Sequence, residues 1–239
     1  MTAHAPETIL ILGGTREAAE LAANLAAARP DWRIVTSLAG RTKEPAPLAG
    51  ETRTGGFGGA EGLAAYMRTE GVTRLIDATH PFATRISANA RAAAEMTGIQ
   101  LDVRTRAPWQ RQPGDIWTEV SSLQEACDAL PAGARVLLAL GSQHIALFAT
   151  RADVHFLVRM VDRPERPLPL PDHALLIGKP GKTAAEEGKL LTKHAITHIV
   201  CRNSGGEGAY AKIEAARQLH LPVVIVQPVG TAASEVLEP

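Results

Sequence analysis

An uninterrupted apolar run from Thr8 to Leu12 (TILIL) stops at Gly13-Gly14 and leads into Arg16 to Ala28 (REAAELAANLAAA), and this juncture constrains the fold more than any other stretch. A run that is apolar at every residue, not at alternate ones, belongs to a strand buried on both faces, as in a parallel sheet. The residues after it are rich in Ala, Leu and Glu, set Ala18, Leu21, Ala22 and Leu25 on one stripe and stop before Pro30, so they predict a helix. Strand, glycine turn and helix in that order open a βαβ unit.

The rhythm continues. Trp32 to Ser37, Thr52 to Phe57, Arg74 to Ala78 and Leu101 to Arg104 read as strands, with helices over Ala60 to Glu70 and Ala83 to Thr97, each ended by a glycine. Ala107 to Asp115 (APWQRQPGD) breaks the pattern and reads as a crossover between domains. Beyond it the alternation restarts. Helices are expected over Ser122 to Leu130, Gln143 to Ala149, Thr183 to His194 and Tyr210 to Leu219; strands are expected over Arg135 to Leu140, Val154 to Met160, Ala174 to Ile177, His198 to Cys201 and Val223 to Val226, with a proline-rich loop from Arg163 to Pro171. The fold class is therefore α/β, with two Rossmann-like domains of parallel sheets flanked by helices, residues 1–106 and 107–239.

Composition narrows the function classes. Over 239 residues the 25 Lys and Arg cancel the 25 Asp and Glu, so no global basic field marks a duplex-binding protein, and aromatic residues, at 4%, are too sparse for a stacking platform on single strands. No nucleic-acid partner is expected. No stretch approaches the ~18 apolar residues of a membrane span, and the segment before Thr8 lacks the basic start and apolar core of a signal peptide. With only Cys127 and Cys201, widely spaced, a reducing cytoplasmic setting is expected.

The glycine turn departs from the dinucleotide fingerprint G-x-G-x-x-G/A: Thr15 stands at the second glycine's place, while Ala18 keeps the small residue that close helix packing needs. Glycines allow a tight turn, and the free N–H groups of the helix start suit a phosphate. A plain strand-to-helix turn capped by Thr15 would use the same residues. After the second strand comes Leu38-Ala-Gly-Arg41-Thr42-Lys43, with no carboxylate before Glu44, which favours the 2′-phosphate of NADP over the free ribose of NAD; a solvated basic loop is the alternative. Asp77-Ala-Thr-His80 ends another buried strand at the edge where α/β sheets bind ligands, and could equally be a turn.

In the second half, Asn203-Ser204-Gly205-Gly206 with Lys212 beyond it, Gly178-Lys179-Pro180-Gly181-Lys182, and Gly141-Ser142-Gln143 are three candidate anion cradles, each also readable as an ordinary turn. His194 and His198 have a zinc-helix spacing without its Glu and straddle a helix-to-strand junction, so no metal is expected. No GxSxG points to a hydrolase.

Taken together, GGTRE at 13–17, LAGRT at 38–42, GGFGG at 55–59, DATHPFA at 77–83, ALGSQ at 139–143, KPG at 179–181 and NSGGEGAYAKIEAAR at 203–217 followed by LPVVIV resemble the precorrin-6A reductase family of cobalamin biosynthesis, from about Thr8 to Pro228. The resemblance implies NADPH as cofactor, a ring-contracted tetrapyrrole as substrate, reduction of its C18=C19 double bond to give precorrin-6B, and binding in the cleft between two Rossmann-like domains. By position it implies Gly13, Gly14, Thr15 and Arg16 at the pyrophosphate, Ser37 and Arg41 at the adenosine end, and Gly56, Phe57, Thr79 and His80 at the ribose and nicotinamide. Lys179, Asn203, Ser204, Gly205 and Lys212 would face the macrocycle, and Arg85 and Lys182 would add cations for its carboxylates. His80 is the candidate catalytic residue, donating a proton or orienting a water, with solvent as the other proton source.

The metal-free substrate is preferred, although no residue is tied to that choice; a cobalt-containing ring remains open. So does another small anionic substrate, as in enzymes similar to dihydrodipicolinate reductase. Handover of product to neighbouring pathway enzymes would follow. A dinucleotide-sensing module is the non-enzymatic reading, and the second set of glycine and lysine turns counts against it.

Overall fold

The computed structural model describes residues 6–40 and 47–228, with Ser142 and Gln143 described through their backbone alone. The chain divides into two compact units, Met1–Thr105 and Arg106–Pro239.

The first unit runs β1 (Thr8–Leu12), α1 (Arg16–Ala28), β2 (Arg33–Leu38), β3 (Glu51–Thr54), α2 (Ala60–Thr69), β4 (Arg74–Asp77), α3 (Thr84–Thr97), β5 (Gln100–Val103). Its strands pair in parallel in the order β3-β2-β1-β4-β5. β1 lies at the centre, and its apolar residues divide between the two faces as strand alternation requires. Ile9 and Ile11 join Ile34 and Ile76 under Ala18 and Ala22 of α1. Leu10 and Leu12 join Val35 and Leu75 under Leu63 and Met67 of α2 and Ala90 and Ala93 of α3. Alanine on the helix side lets α1 and α3 lie close to branched strand residues, which explains a helix rich in Ala but poor in Leu. The chain leaves β1 for β2 and β3 and returns to β4, so the strand order reverses between the carboxyl ends of β1 and β4. A crevice for ligands opens at such a reversal in open α/β sheets.

The second unit runs β6 (Trp117–Val120), α4 (Leu123–Asp128), β7 (Arg135–Ala139), a run of 3-10 turns (Ser142–Thr150), β8 (His155–Met160), β9 (His173–Ile177), α5 (Ala184–Lys193), β10 (His198–Arg202), α6 (Ala211–Gln218) and β11 (Val223–Val226). Its parallel order is β6-β11-β10-β7-β8-β9. Taken from β9, this is the order of the first unit again, with β7 in the place of β1 and β10 in that of β4, and β6 added at the far edge. Leu137, Ile199, Cys201 and Ile225 pack with Ala184 and Leu191 of α5 and Ile213 and Ala216 of α6. Phe148 of the 3-10 run meets Phe156 of β8 edge-on, ring centroids 5.6 Å apart.

Three elements differ from the sequence expectations, the first being the segment after β7, which forms 3-10 turns where a helix over Gln143 to Ala149 is expected. β6 was hidden because only Trp117 of its four residues is buried, so this edge strand carries almost no apolar pattern. The expected strand Thr52 to Phe57 stops at Thr54 because Gly55 turns to φ +118°, outside the β region of any other residue.

Candidate active site

The turn after β1 is built by packing as well as by backbone freedom. Gly13 donates its N–H to the Ser37 carbonyl at 3.0 Å, and a Cβ there would come within 2.9 Å of Thr36 Cγ2 and 3.5 Å of Ala18 Cβ. Gly14 has open space around it but sits at φ +105°. Thr15 caps α1, its hydroxyl accepting from Ala18 N at 3.1 Å and donating to the Ala78 carbonyl at 2.9 Å. That second bond ties the turn to the loop after β4, across the point where the strand order reverses. The cap and the ligand loop are therefore one structure. Arg16 is exposed and paired with Glu20 at 2.7 Å.

Against Gly13 lies Thr36, fully buried, its hydroxyl without a hydrogen-bond partner among the described residues. A glycine turn packed this closely on the sheet, at positive φ and leading into a helix start, fits a phosphate-bearing ligand: the residues present suit the pyrophosphate of a dinucleotide.

Ser37 and Arg53 mark the β2–β3 end of the sheet. The Arg53 guanidinium donates to Ser37 Oγ at 3.3 Å and to the carbonyls of Gly55 and Gly56 at 2.7 Å each. It lies 3.8 Å over the Phe57 ring. Gly56 and Phe57 thus belong with Ser37, on the β3 side of β1, whereas Thr79 and His80 follow β4 on the other side. The four residues expected at the ribose and nicotinamide are therefore carried by two loops, one after β3 and one after β4. Arg41 lies outside the described residues.

After β4, the buried Asp77 carboxylate accepts from Thr79 N at 3.1 Å and from Thr79 Oγ1 at 2.6 Å. The Thr79 hydroxyl is spent on fixing the loop. His80 Nδ1 accepts from Phe82 N at 3.2 Å, so in the neutral ring the proton sits on Nε2. Arg85 is exposed on the first turn of α3.

In the second unit the structure redirects several expected substrate contacts. Asn203 is buried, with Oδ1 accepting from Trp109 N at 2.7 Å and Nδ2 donating to the Trp109 carbonyl at 3.0 Å. A Cβ on Gly205 would run into the Ala107 carbonyl, so this glycine makes room for the chain's own segment 106–109 and not for a macrocycle. Trp109 Nε1 donates to the Gly206 carbonyl at 2.7 Å. Lys212 is buried as well, its ammonium donating to the Ala209 carbonyl at 2.6 Å and lying 4.8 Å from the Trp109 ring centroid. Burial pushes that ammonium below the ordinary lysine range. Ser204 is buried in the same loop.

The Gly178–Lys182 segment likewise fails as a backbone cradle, because Glu187 Oε1 takes the Gly181 N–H at 2.6 Å and Glu186 Oε2 takes the Lys182 N–H at 2.8 Å. Glu187 is held in turn by Arg159 at 2.9 Å, both side chains buried. Lys179 and Lys182 remain exposed. A cavity of about 430 Å³ opens beside Trp109, Tyr210 and Lys182, but Glu207 and Glu214 also line it and would repel a polycarboxylate. Cys127 and Cys201 are free and buried, and burial raises both thiols. Among the described residues no three His, Cys, Asp or Glu side chains gather to hold a metal, and no helix is long and apolar enough to cross a membrane.

Residues 8–238 match the family described as precorrin-6x reductase CbiJ/CobK. The chain belongs to the precorrin-6x reductase family. Among its relatives, the precorrin-6A reductase of Rhodobacter capsulatus is 48% identical over 229 residues, covering 95% of this chain and 90% of that protein. A solved structure named CobK precorrin-6A reductase shares 47% identity with a TM-score of 0.91, covering 96% of this chain and 91% of the other. The cobalt-precorrin-6A reductase of Priestia megaterium is further off, 28% identical over 91% of this chain and 89% of its own. Membership of a reductase family fits the glycine turn at the start of α1. Arg53, Trp109 and Glu187, which lie outside the motifs of the sequence, shape the loops after β3, β10 and β9. Only Arg53 left a trace, as the cation preceding a loop of four glycines.

Proposed function

We propose that the protein is a precorrin-6A reductase, an oxidoreductase that uses NADPH to reduce the C18=C19 double bond of a metal-free, ring-contracted tetrapyrrole. The observation that carries the reading is whole-length similarity to proteins of that name, together with a β1–α1 turn whose geometry suits a pyrophosphate. The margin between 48% identity to a precorrin-6A reductase and 28% to a cobalt-precorrin-6A reductase supports the metal-free ring.

In this reading the first unit holds the nucleotide, with Gly13, Gly14, Thr15 and Arg16 at the pyrophosphate, and Ser37, Gly56 and Phe57 toward the adenosine side. Arg41 is the proposed partner of the 2′-phosphate. A bound nicotinamide supplies the hydride; the chain's task is to hold the reacting carbons together and bring a proton to the neighbouring carbon. His80 is suited to that proton, because the bond from Phe82 N to Nδ1 leaves the ring proton at Nε2. Thr79 serves through Asp77, by fixing the loop that carries His80. The second unit contributes to tetrapyrrole binding, and the exposed cations Lys179, Lys182 and Arg85 suit the carboxylates of the ring. A cytoplasmic setting and handover of the product to neighbouring enzymes of the route belong to the same proposal.

The test is to incubate the protein with NADPH and, in turn, precorrin-6A, its cobalt form and dihydrodipicolinate, and to follow the loss of reduced-nicotinamide absorbance. Consumption with the metal-free corrinoid precursor, faster than with the cobalt form, is expected. Consumption only with dihydrodipicolinate, or with none of the three, overturns the assignment.

A further inference from the structure

The loop between β3 and α2 is almost all glycine, Gly55-Gly-Phe-Gly-Gly59, and three of its residues take φ of +118°, +80° and +109°. Chain of this composition loses more conformational freedom on ordering than any other. Two devices nevertheless fix it. Arg53 spreads its fork over the loop's first two carbonyls and the Ser37 hydroxyl while stacking on Phe57, which meets Tyr66 edge-on with ring centroids 5.2 Å apart. Gly62, inside α2, lacks the Cβ that would otherwise occupy the place of the Phe57 carbonyl.

Trans peptide geometry then decides where the loop's donors point. Within one trans peptide plane the C=O and the next N–H face opposite ways, and the peptide bonds of this loop are trans. With the Gly55 and Gly56 carbonyls drawn to the guanidinium, the N–H groups of Gly56 and Phe57 are turned away from it. Consecutive N–H groups presented in this way suit the anionic and hydroxyl groups of a nucleotide.

We infer that Arg53 is the positioning residue of the nucleotide site: together with Gly62 it sets the Gly55–Gly59 loop so that the Gly56 and Phe57 N–H groups meet the cofactor. The inference rests on the nicotinamide reading above. Arg53 acts through the loop, so its loss falls on NADPH and NADH alike, unlike the loss of a cation that touches the 2′-phosphate. Lysine cannot replace it, because a point charge makes no fork across two carbonyls.

The experiment compares wild type, Arg53→Lys and Gly62→Ala in the full-length protein. Three quantities are measured: affinity for NADPH and for NADH by nicotinamide fluorescence, thermal midpoint, and hydrogen exchange of the nucleotide-free protein. Both variants should weaken NADPH and NADH equally, by about 10-fold, the equivalent of ~1.4 kcal/mol. Exchange should quicken over residues 55–59 with the thermal midpoint close to that of the wild type. Gly62→Ala changes no charge, so its agreement with Arg53→Lys identifies loop shape as the cause. Loss confined to NADPH would make Arg53 a direct phosphate ligand and overturn the inference, as would variants that bind both nucleotides like the wild type. A wild type that binds neither nucleotide overturns the cofactor reading and this inference together.

Discussion

A buried lysine is the most consequential single residue outside the proposed nucleotide site. Lys212 reads in sequence as a cation one turn into a helix behind a glycine turn, and so as a substrate ligand. In the fold it faces inward, with one carbonyl and the Trp109 ring as partners. Nothing in the sequence separates the two outcomes, because the partner comes from residue 109, far away along the chain. Its energetics leave a signature. Since burial lowers its proton affinity, the unfolded chain binds that proton more tightly than the folded one between the folded value and the ordinary lysine value of about 10.4, and stability rises with pH through that window. Lys212→Met keeps the length and removes the proton. The stability of the variant minus that of the wild type should therefore fall as the pH is raised from about 7 to 10, in urea unfolding at several pH values. A difference that stays flat or grows with pH would mean that Lys212 keeps its ordinary proton affinity in the folded protein.

Among elements, what could be read in advance follows burial. β1, β4, β7 and β11 are apolar on both faces and were foreseen within a residue or two, as was α1, because its alanine stripe is dictated by the sheet it covers. β6 and the 3-10 run after β7 were missed or mistyped, one for lack of an apolar pattern and the other because its composition suits a helix equally well. The loops were located correctly at the carboxyl ends of strands, yet what fills them was not legible. Glycine signals that something comes close, and not what. At Gly205 the neighbour is the Ala107 backbone, and the residue also sits at φ +63°. Gly205→Ala should thus suffer twice, by strain and by a clash with backbone that cannot step aside, and lose well over ~1 kcal/mol of stability, the scale at which alanine at a compatible site would gain. Thermal unfolding of the purified variant checks this. An unchanged midpoint would show that segment 106–109 is not held against the loop after β10.

On the scale of the whole chain, the two units repeat one strand order, and the second could be taken for a second nucleotide domain. Its equivalents of the first unit's three ligand-facing loops are all present in sequence: Gly141-Ser142 after β7, Gly178-Lys179 after β9, and Asn203-Ser204-Gly205 after β10. Each differs where it matters. The turn after β7 leads into 3-10 turns with no side-chain cap, whose short runs carry less of an aligned dipole than α1. Glu187 and Glu186 already occupy the N–H groups of Gly181 and Lys182, in the turn before α5, and the Thr183 hydroxyl caps the helix itself. The loop after β10, next to the second reversal of strand order, is engaged by Trp109 through both its backbone groups and its indole N–H. The donors after β9 and β10 are thus engaged by the chain itself, and freeing them would disturb the buried Arg159–Glu187 pair and strip the Asn203 side chain of its two bonds to Trp109, leaving the one to Gln227, at a cost of several kcal/mol. Calorimetric titration of the full-length protein with NADPH should accordingly give one site per chain. The stoichiometry should stay at one when Gly13→Ala drives a Cβ against Thr36 and weakens that site, since the second unit's loops are engaged by the chain itself. Two sites in the wild type, or residual tight binding at full stoichiometry in Gly13→Ala, would show that the second unit has kept the nucleotide function its topology shares with the first.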